Sequence, residues 1–291
     1  MKKIWTILEL MKWSEDYFAQ RQIDSPRLDA ELLLCETLGL SRVALYTNFD
    51  RPVGDGELAA YKALVIRRAG RREPVAYILE EKGFWSLNLK VSPAVLIPRP
   101  ETERLVDLSL ELLKGPLLAR RDQPIVDVGT GSGAIALALA SELADALLWA
   151  TDLSAEALAV AQENARSLGF EERVRFVQGD LLAALPAEVQ PVLVVSNPPY
   201  VAHEERDQLA PELSHEPASA LFADDHGLAI IRRLAAESFA RLQPGGFFLS
   251  EIGATQGRAV SSLFSAHGFE DVAVVQDYSQ RDRVVRGRKP S

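Results

Sequence analysis

The sequence predicts an α/β protein: a Rossmann-like sheet of seven strands, mostly parallel with the last strand antiparallel, preceded by a small helical bundle. Three observations predict it. From residue 124 onward, short apolar runs alternate with helical stretches. The first of these runs, PIVDV, leads through a glycine-rich turn into a helix. Residues 1–75 carry helical signals and no strand pattern.

In the N-terminal part, Ile7, Leu8, Met11 and Phe18 fall near one helical face. Ser25 and Pro26 form an N-cap and first-turn pair that opens a second helix through Ala30, Leu33 and Leu34. Ser41 caps a short third helix. A fourth begins at Asp55 and runs past Leu64 to arginines 67, 68, 71 and 72, read as a solvated face rather than a binding patch. This bundle holds no catalytic motif, and its expected use is to grip a partner. Residues 76–100 are expected to form a linker with a β-hairpin, because Phe84, Leu87 and Leu89 alternate with polar residues. A Pro–Glu entry at 100–101 starts the next helix, so the second domain is expected to span 101–291.

Strand follows helix from there. PIVDVG, LLWATD, RVRFVQGD, PVLVVS and GFFLSEIG read as strands. The helix between the second and third has Ser154 as its cap and Gly169 as its stop. FEDVAVVQDY and RDRVVRGRK are two final strands with no room for a helix between them, so they should pair antiparallel.

The 291 residues carry 32 basic and 41 acidic side chains, a net charge of −9. Residues 1–75 are near balance, with 12 basic and 11 acidic groups, so the acidity belongs to the second part. That argues against wrapping of a nucleic-acid backbone, which needs clustered Lys and Arg. The single cysteine, Cys35, follows Leu32–Leu34 and reads as a core residue; no intrachain disulfide can form, which fits a reducing compartment. The start, MKKIWTILELMKW, is broken by Glu9 and Lys12 and is not a signal peptide, and no apolar run is long enough for a bilayer. A cytoplasmic location is expected. His203, His215, His226 and His267 lack metal-ligand spacing, so no metal is expected.

Chemistry concentrates at the strand ends. In DVGTGSG, Asp127 precedes Gly129, Gly131 and Gly133, with Thr130 and Ser132 between them. Such glycines let backbone turn tightly and approach a ligand. Gly129, Gly131 and Ala134 also fit the loose dinucleotide fingerprint. Asp152, 21 residues past Gly131, ends the next strand and can accept both hydroxyls of a ribose, that of NAD or of S-adenosylmethionine. Asp180, before Leu181, ends the third and could accept an adenine amino group or cap a helix. The fourth ends in NPPY: Asn197, Pro198, Pro199 and Tyr200. Two prolines stiffen that turn. The Asn197 amide oxygen and the Pro198 carbonyl offer two acceptors beside the flat face of Tyr200. Such a cradle suits a planar NH2 group, leaving its nitrogen lone pair free to face a methyl donor. An NAD-dependent oxidoreductase would explain the glycine loop but not NPPY. A binding module without activity would not need these motifs intact.

This constellation resembles the amino-methyltransferase branch of the S-adenosylmethionine-dependent enzymes. SPRLDAELLL near the start, FWSL (Phe84–Leu87), IPRPETE (Ile97–Glu103), HEPASAL (His215–Leu221) and the closing RDRVV look like the release factor glutamine methyltransferase family, called PrmC or HemK. The resemblance covers nearly the whole chain. It implies methylation of N5 of the glutamine in the GGQ motif of class I peptide-chain release factors, with S-adenosyl-L-homocysteine as the spent cofactor. It also implies that Gly129–Gly133 hold the methionine part of the cofactor, Asp152 the ribose, and Asp180 and Leu181 the adenine. Asn197 and Pro198 would hold the glutamine amide, with Pro199 in the same turn and Tyr200 packed against it. Phe84, Arg99 and Thr102 are expected to wall the pocket. A nucleic-acid amino-methyltransferase of the adenine N6 type is the alternative; the acidic second part speaks against it. The expected partner is the release factor, with no membrane and no direct nucleic-acid contact, and the chain is expected to act as a monomer.

Overall fold

The computed structural model describes residues 3–291, which divide into two compact units. The first comprises the N-terminal residues to Glu80 together with Pro211–His215. Its helices are α1 (Ile7–Gln20), α2 (Pro26–Leu38), α3 (Arg42–Thr47), α4 (Asp55–Val65) and α5 (Val75–Leu79). A reciprocal capping box starts α1: Thr6 Oγ1 accepts from the Glu9 amide, and the Glu9 carboxylate accepts from the Thr6 amide. Ser41 caps α3 by accepting from Ala44 N at 3.2 Å. Pro26 opens α2, but the Ser25 hydroxyl makes no cap bond; its backbone (φ −123°, ψ 59°) lies outside the extended cap geometry. Ile7, Leu10, Phe18, Leu33, Leu34, Leu45 and Tyr61 fill the core. Leu8 is only half-buried, and Leu10 takes its place on the inner face. Cys35 is also only partly buried, and burial pushes its thiol pKa up.

The arginine run departs from the expected solvated face. The α-helix ends at Val65 and one wider π turn, Ile66–Gly70, follows. That turn carries Arg68 inward to 6% exposure, where Nε meets Asp29 at 2.6 Å and Nη1 meets Glu212 at 2.8 Å. Arg72 joins Glu212, and Arg67 pairs with Glu73. Arg68 needs partners because an unpaired buried charge is costly.

The second unit spans Glu81–Ala210 and Glu216–Ser291. It opens with an antiparallel hairpin, β1 (Glu81–Phe84) and β2 (Leu87–Lys90), followed by α6 (Glu103–Leu113). The expected linker at 76–100 is therefore divided: α5 packs in the first unit and the hairpin in the second. Phe84, Leu87 and Leu89 are buried in the second unit's core, which ties the hairpin down. Asn164 ties it further, accepting from Lys90 N at 2.7 Å while donating to Lys90 O and to Ser132 O.

The remaining elements follow in chain order: β3 (Ile125–Val128), α7 (Ala134–Glu142), β4 (Leu148–Asp152), α8 (Ala155–Leu168), β5 (Val174–Gln178), β6 (Leu193–Ser196) and β7 (Val201–Ala202). Then come α9 (Ala218–Leu221), β8 (Phe222–Ala223), the short turn α10 (Asp224–Gly227), α11 (Ala229–Arg241), β9 (Phe247–Glu251), α12 (Gly257–Ala266), β10 (Glu270–Gln276) and β11 (Asp282–Arg288). Ser154 accepts from Ala157 N to cap α8, and left-handed Gly169 (φ 75°) ends it. The seven-stranded sheet has the order β10-β11-β9-β6-β3-β4-β5. Pairs β5–β4, β4–β3, β3–β6 and β6–β9 are parallel. The last strand, β11, inserts between β9 and β10 and is antiparallel to both. Each face of the sheet is covered by a buried apolar cluster. The chain leaves β3 in one direction to β4 and β5, then returns to β6 on the other side. That reversal opens a crevice at the strand C-termini, where ligands of such sheets bind.

Candidate active site

A cavity of about 500 Å³ lies at that crevice, wholly within the second unit. Its floor is the turn from β3 to α7. Gly129, Gly131 and Gly133 all have positive φ (72°, 57° and 84°), and a Cβ at Gly129 or Gly131 would meet open space. Gly133 stands apart: a Cβ there would lie 2.9 Å from Leu137 Cδ1, so it serves the entry of α7 and does not line the cavity. Gly129 N and Thr130 N both donate to Thr151 O, at 2.8 and 3.0 Å. Asp127 braces the turn from behind, its Oδ2 accepting from Thr130 Oγ1 at 2.7 Å and from Ala136 N at 3.2 Å. Complete burial pushes its pKa up to about 7 against the pull of those two bonds.

Asp152 stands at the end of β4. Its Oδ2 accepts from Gly131 N and its Oδ1 from Ser154 N, both at 2.9 Å. Each carboxylate oxygen keeps a further acceptor position, and Asp152 lines the cavity. Asp180 and Leu181 line it beyond β5. The Asp180 side chain makes no cap bond and instead meets Arg233 at 2.7 Å, while strained Leu181 (φ 49°) forms part of the wall.

Asn197 and Pro199 reach the cavity from the NPPY turn; Pro198 is buried behind them. Asn197 Nδ2 donates to Thr102 Oγ1 at 3.2 Å, which leaves Oδ1 as the acceptor side of the amide. The turn is clamped from outside. Gln256 Nε2 donates to Tyr200 O at 3.0 Å, and Gly227 packs so close that a Cβ would stand 2.1 Å from that same oxygen. The Tyr200 ring packs against the apolar cluster below, and its hydroxyl donates to Glu251 at 3.3 Å. Burial raises the Tyr200 pKa, with the Glu251 charge adding to it, so the phenol stays protonated.

Of the three expected wall residues, Thr102 lines the cavity. Phe84 does not: at 2% exposure it belongs to the hydrophobic core. Arg99 is also displaced from the wall, because its guanidinium pairs with Glu216 at 2.5 Å. The other Glu216 oxygen accepts from Ile97 N at 3.0 Å, so buried Glu216 joins IPRPETE to HEPASAL and brings Pro98 and Pro217 to the cavity rim. Glu251 and Gln256 lie in no motif of the sequence, and Glu216 enters only as one position of HEPASAL. The available signal was an acid ending an otherwise apolar strand, FFLSE, and another inside a proline-flanked loop.

Among the described residues, no group of His, Cys, Asp and Glu gathers as a metal site, and no helix is long and apolar enough to cross a membrane.

Residues 9–79 match the PrmC N-terminal domain, and residues 102–233 match the methyltransferase small domain. The chain is 36% identical over 287 residues to the release factor glutamine methyltransferase of Rhodopirellula baltica, covering 98% of this chain and 97% of that one. It is 42% identical over 283 residues to that of Vibrio cholerae, covering 97% and 96%. Among solved structures, a methyltransferase from Pyrococcus furiosus shares the fold, with a TM-score of 0.53 at 16% identity over 78% of this chain and 100% of that one. The chain belongs to the release factor glutamine methyltransferase family.

Proposed function

We propose that this protein methylates N5 of the glutamine side chain in the GGQ motif of class I release factors, using S-adenosylmethionine, in the cytoplasm. The cavity fits that cofactor. The Gly129–Ser132 backbone would take its methionine part, Asp152 its ribose, and Asp180 and Leu181 its adenine. When bound, the cofactor supplies an electrophilic methyl group on a sulfonium with a good leaving group.

An amide nitrogen is a weak nucleophile because its lone pair is delocalised. Positioning therefore carries much of the work. Asn197 Oδ1 and the Pro198 carbonyl each accept one hydrogen of the substrate NH2, holding the nitrogen in place. The same two acceptors stabilise positive charge as it develops on that nitrogen. The single observation that carries this reading is the orientation of Asn197: its NH2 is engaged by Thr102, so its oxygen is the group available to a donor.

The test is transfer of labelled methyl from S-adenosylmethionine to an intact class I release factor, beside the same factor with GGQ changed to GGA. Label on the first alone is the expected result. Label on neither, or on nucleic acid instead, overturns the assignment.

A further inference from the structure

The NPPY turn is stiff inside, so its aim is set at its ends. The proline rings fix φ at Pro198 and Pro199, and a following proline confines Asn197 and Pro198 to extended backbone. Asn197 and the Pro198 carbonyl are thus carried on one rigid arm. At its near end the arm grows out of β6, where Ser196 lies in register with Val128 and Ser250 and its hydroxyl donates to Val128 O at 2.7 Å. Past its far end Val201 pairs with Phe222, in a two-stranded ladder outside the seven-stranded sheet. The tie from the far end to the main sheet is Gln256, at the entry of α12. Its Nε2 donates to Tyr200 O at 3.0 Å and, more loosely, to His226 O at 3.4 Å. Its Oε1 accepts from Gly253 N at 2.9 Å, which fixes the orientation of the amide and joins it to the exit of β9. Against the same Tyr200 carbonyl stands Gly227, which leaves no room for a Cβ. Gly227 closes a run of three left-handed residues, after Asp225 (φ 55°) and His226 (φ 54°). Such backbone persists only where its surroundings hold it, and it gathers at functional sites.

We propose that Gln256 is a positioning residue for methyl transfer: by holding the Tyr200 carbonyl, it sets the direction in which the NPPY arm aims Asn197 and the Pro198 carbonyl. The effect carries from Tyr200 to those two acceptors because the backbone between them is restricted by two prolines. Gln256 does not line the cavity, so it acts on alignment and not on cofactor binding. Alignment is where such a residue has leverage, since a misplacement of about 1 Å caused far from the chemistry can cost about 10²-fold in rate. The glutamine is suited to the task because one side chain supplies both a donor and an acceptor. The acceptor end is spent on Gly253, which leaves the donor end for Tyr200. This inference rests on the reading that Asn197 and Pro198 receive the glutamine amide of the substrate.

The test combines single-turnover methyl transfer at saturating S-adenosylmethionine and release factor with the side-chain amide NMR signals of Asn197, assigned by their loss in N197A. Q256M keeps the length of the side chain and removes both polar ends. Q256E keeps an acceptor for Gly253 N and, once ionised, has no donor for Tyr200 O. Each is expected to slow transfer by about 10–10²-fold, with the Kd for S-adenosylmethionine by calorimetry unchanged. The Asn197 NH2 pair, which donates to Thr102 at 3.2 Å, should shift in both variants as the arm changes its attitude. If one variant fails to fold, the other decides. A folded Q256M or Q256E with the wild-type rate would overturn the proposal. So would a loss that falls on the cofactor Kd with the rate at saturation intact, or an unmoved Asn197 NH2 pair. Failure of the wild type to label the release factor would overturn the assigned substrate instead, and the NMR shifts would still decide whether Gln256 sets the turn.

Discussion

Asn197 and Asp152 sit on opposite sides of one cavity, and replacing each should fail differently. Asn197→Ala removes an acceptor that matters most as charge develops on the substrate nitrogen. It should lower kcat by about 10²–10³-fold and leave cofactor binding nearly unchanged. Asp152→Ala removes the acceptor for a ribose and also frees Gly131 N and Ser154 N, which it holds at 2.9 Å. It should weaken S-adenosylmethionine binding by roughly 1.5–3 kcal/mol, with kcat at saturation much less affected. Calorimetry beside single-turnover kinetics separates the two, and a mutant whose loss falls on the other parameter refutes its assigned role. Both residues were legible in the sequence for one reason. Each ends a strand, and strand ends converge where a parallel sheet reverses direction. Phe84 was misplaced because alternation identifies a buried side chain without saying which cavity or core receives it. The partners of Glu251 and Glu216 could not be read because they lie far along the chain: 51 positions from Tyr200 to Glu251, and 117 from Arg99 to Glu216. Hydrogen bonds across such distances leave no period to read.

At the scale of elements, the strands and most helix ends were readable because caps and stops are local chemistry, as Ser41, Ser154 and Gly169 show. The end of α4 was not. A single π turn shifts the following side chains around the helix axis, and no residue type announces it. The shift puts Arg68 between Asp29 and Glu212, where a continued α-helix would set it at another angle. Burial raises the Asp29 pKa, and Arg68 pulls it back by hydrogen bond and charge. Arg68→Ala therefore strands the Asp29 carboxylate in a poorly solvated place and leaves Glu212 to Arg72 alone. Removing one partner of a buried ion pair costs about 3–5 kcal/mol, and the first unit should lose stability on that scale. Arg233→Ala, which breaks the exposed pair with Asp180, should change stability little. Urea unfolding followed through Trp5 and Trp13 for Arg68→Ala, and through Trp85 and Trp149 for Arg233→Ala, makes the comparison. Equal small effects from both variants would show that Arg68 is solvated after all.

Across the whole molecule, the two units should respond to pH over different ranges. In the first, Arg67 holds the Glu73 carboxyl below its usual range, and the Gly54 amide does the same for Glu57. Asp29, raised by burial, opposes them. For a lowered carboxyl the unfolded state binds more protons, so its stabilising effect is present above the unfolded pKa and is lost as pH falls through the folded one. In the second unit, burial pushes Asp127 and Glu251 up to about 7, from ordinary values of 3.8 and 4.5. Between those limits the folded state keeps protons that the unfolded chain has released. Their stabilising effect is therefore complete below the unfolded pKa and disappears as pH rises through 7, at up to roughly 1.4 kcal/mol per pH unit for each group. Self-repulsion within a chain of net charge −9 acts in the same sense as the acids ionise. From pH 5 to pH 7.5 the second unit should lose stability, while the first, whose lowered carboxyls are already ionised in both states over this range, should change little. Trp85 and Trp149 report on the second unit as Trp5 and Trp13 do on the first. Phe replacements of one pair at a time therefore give two separate urea curves at each pH. Asp127→Asn, which cannot ionise, should flatten the second unit's decline over this range, and a slope equal to wild type would mean that Asp127 titrates as an ordinary solvated carboxylate.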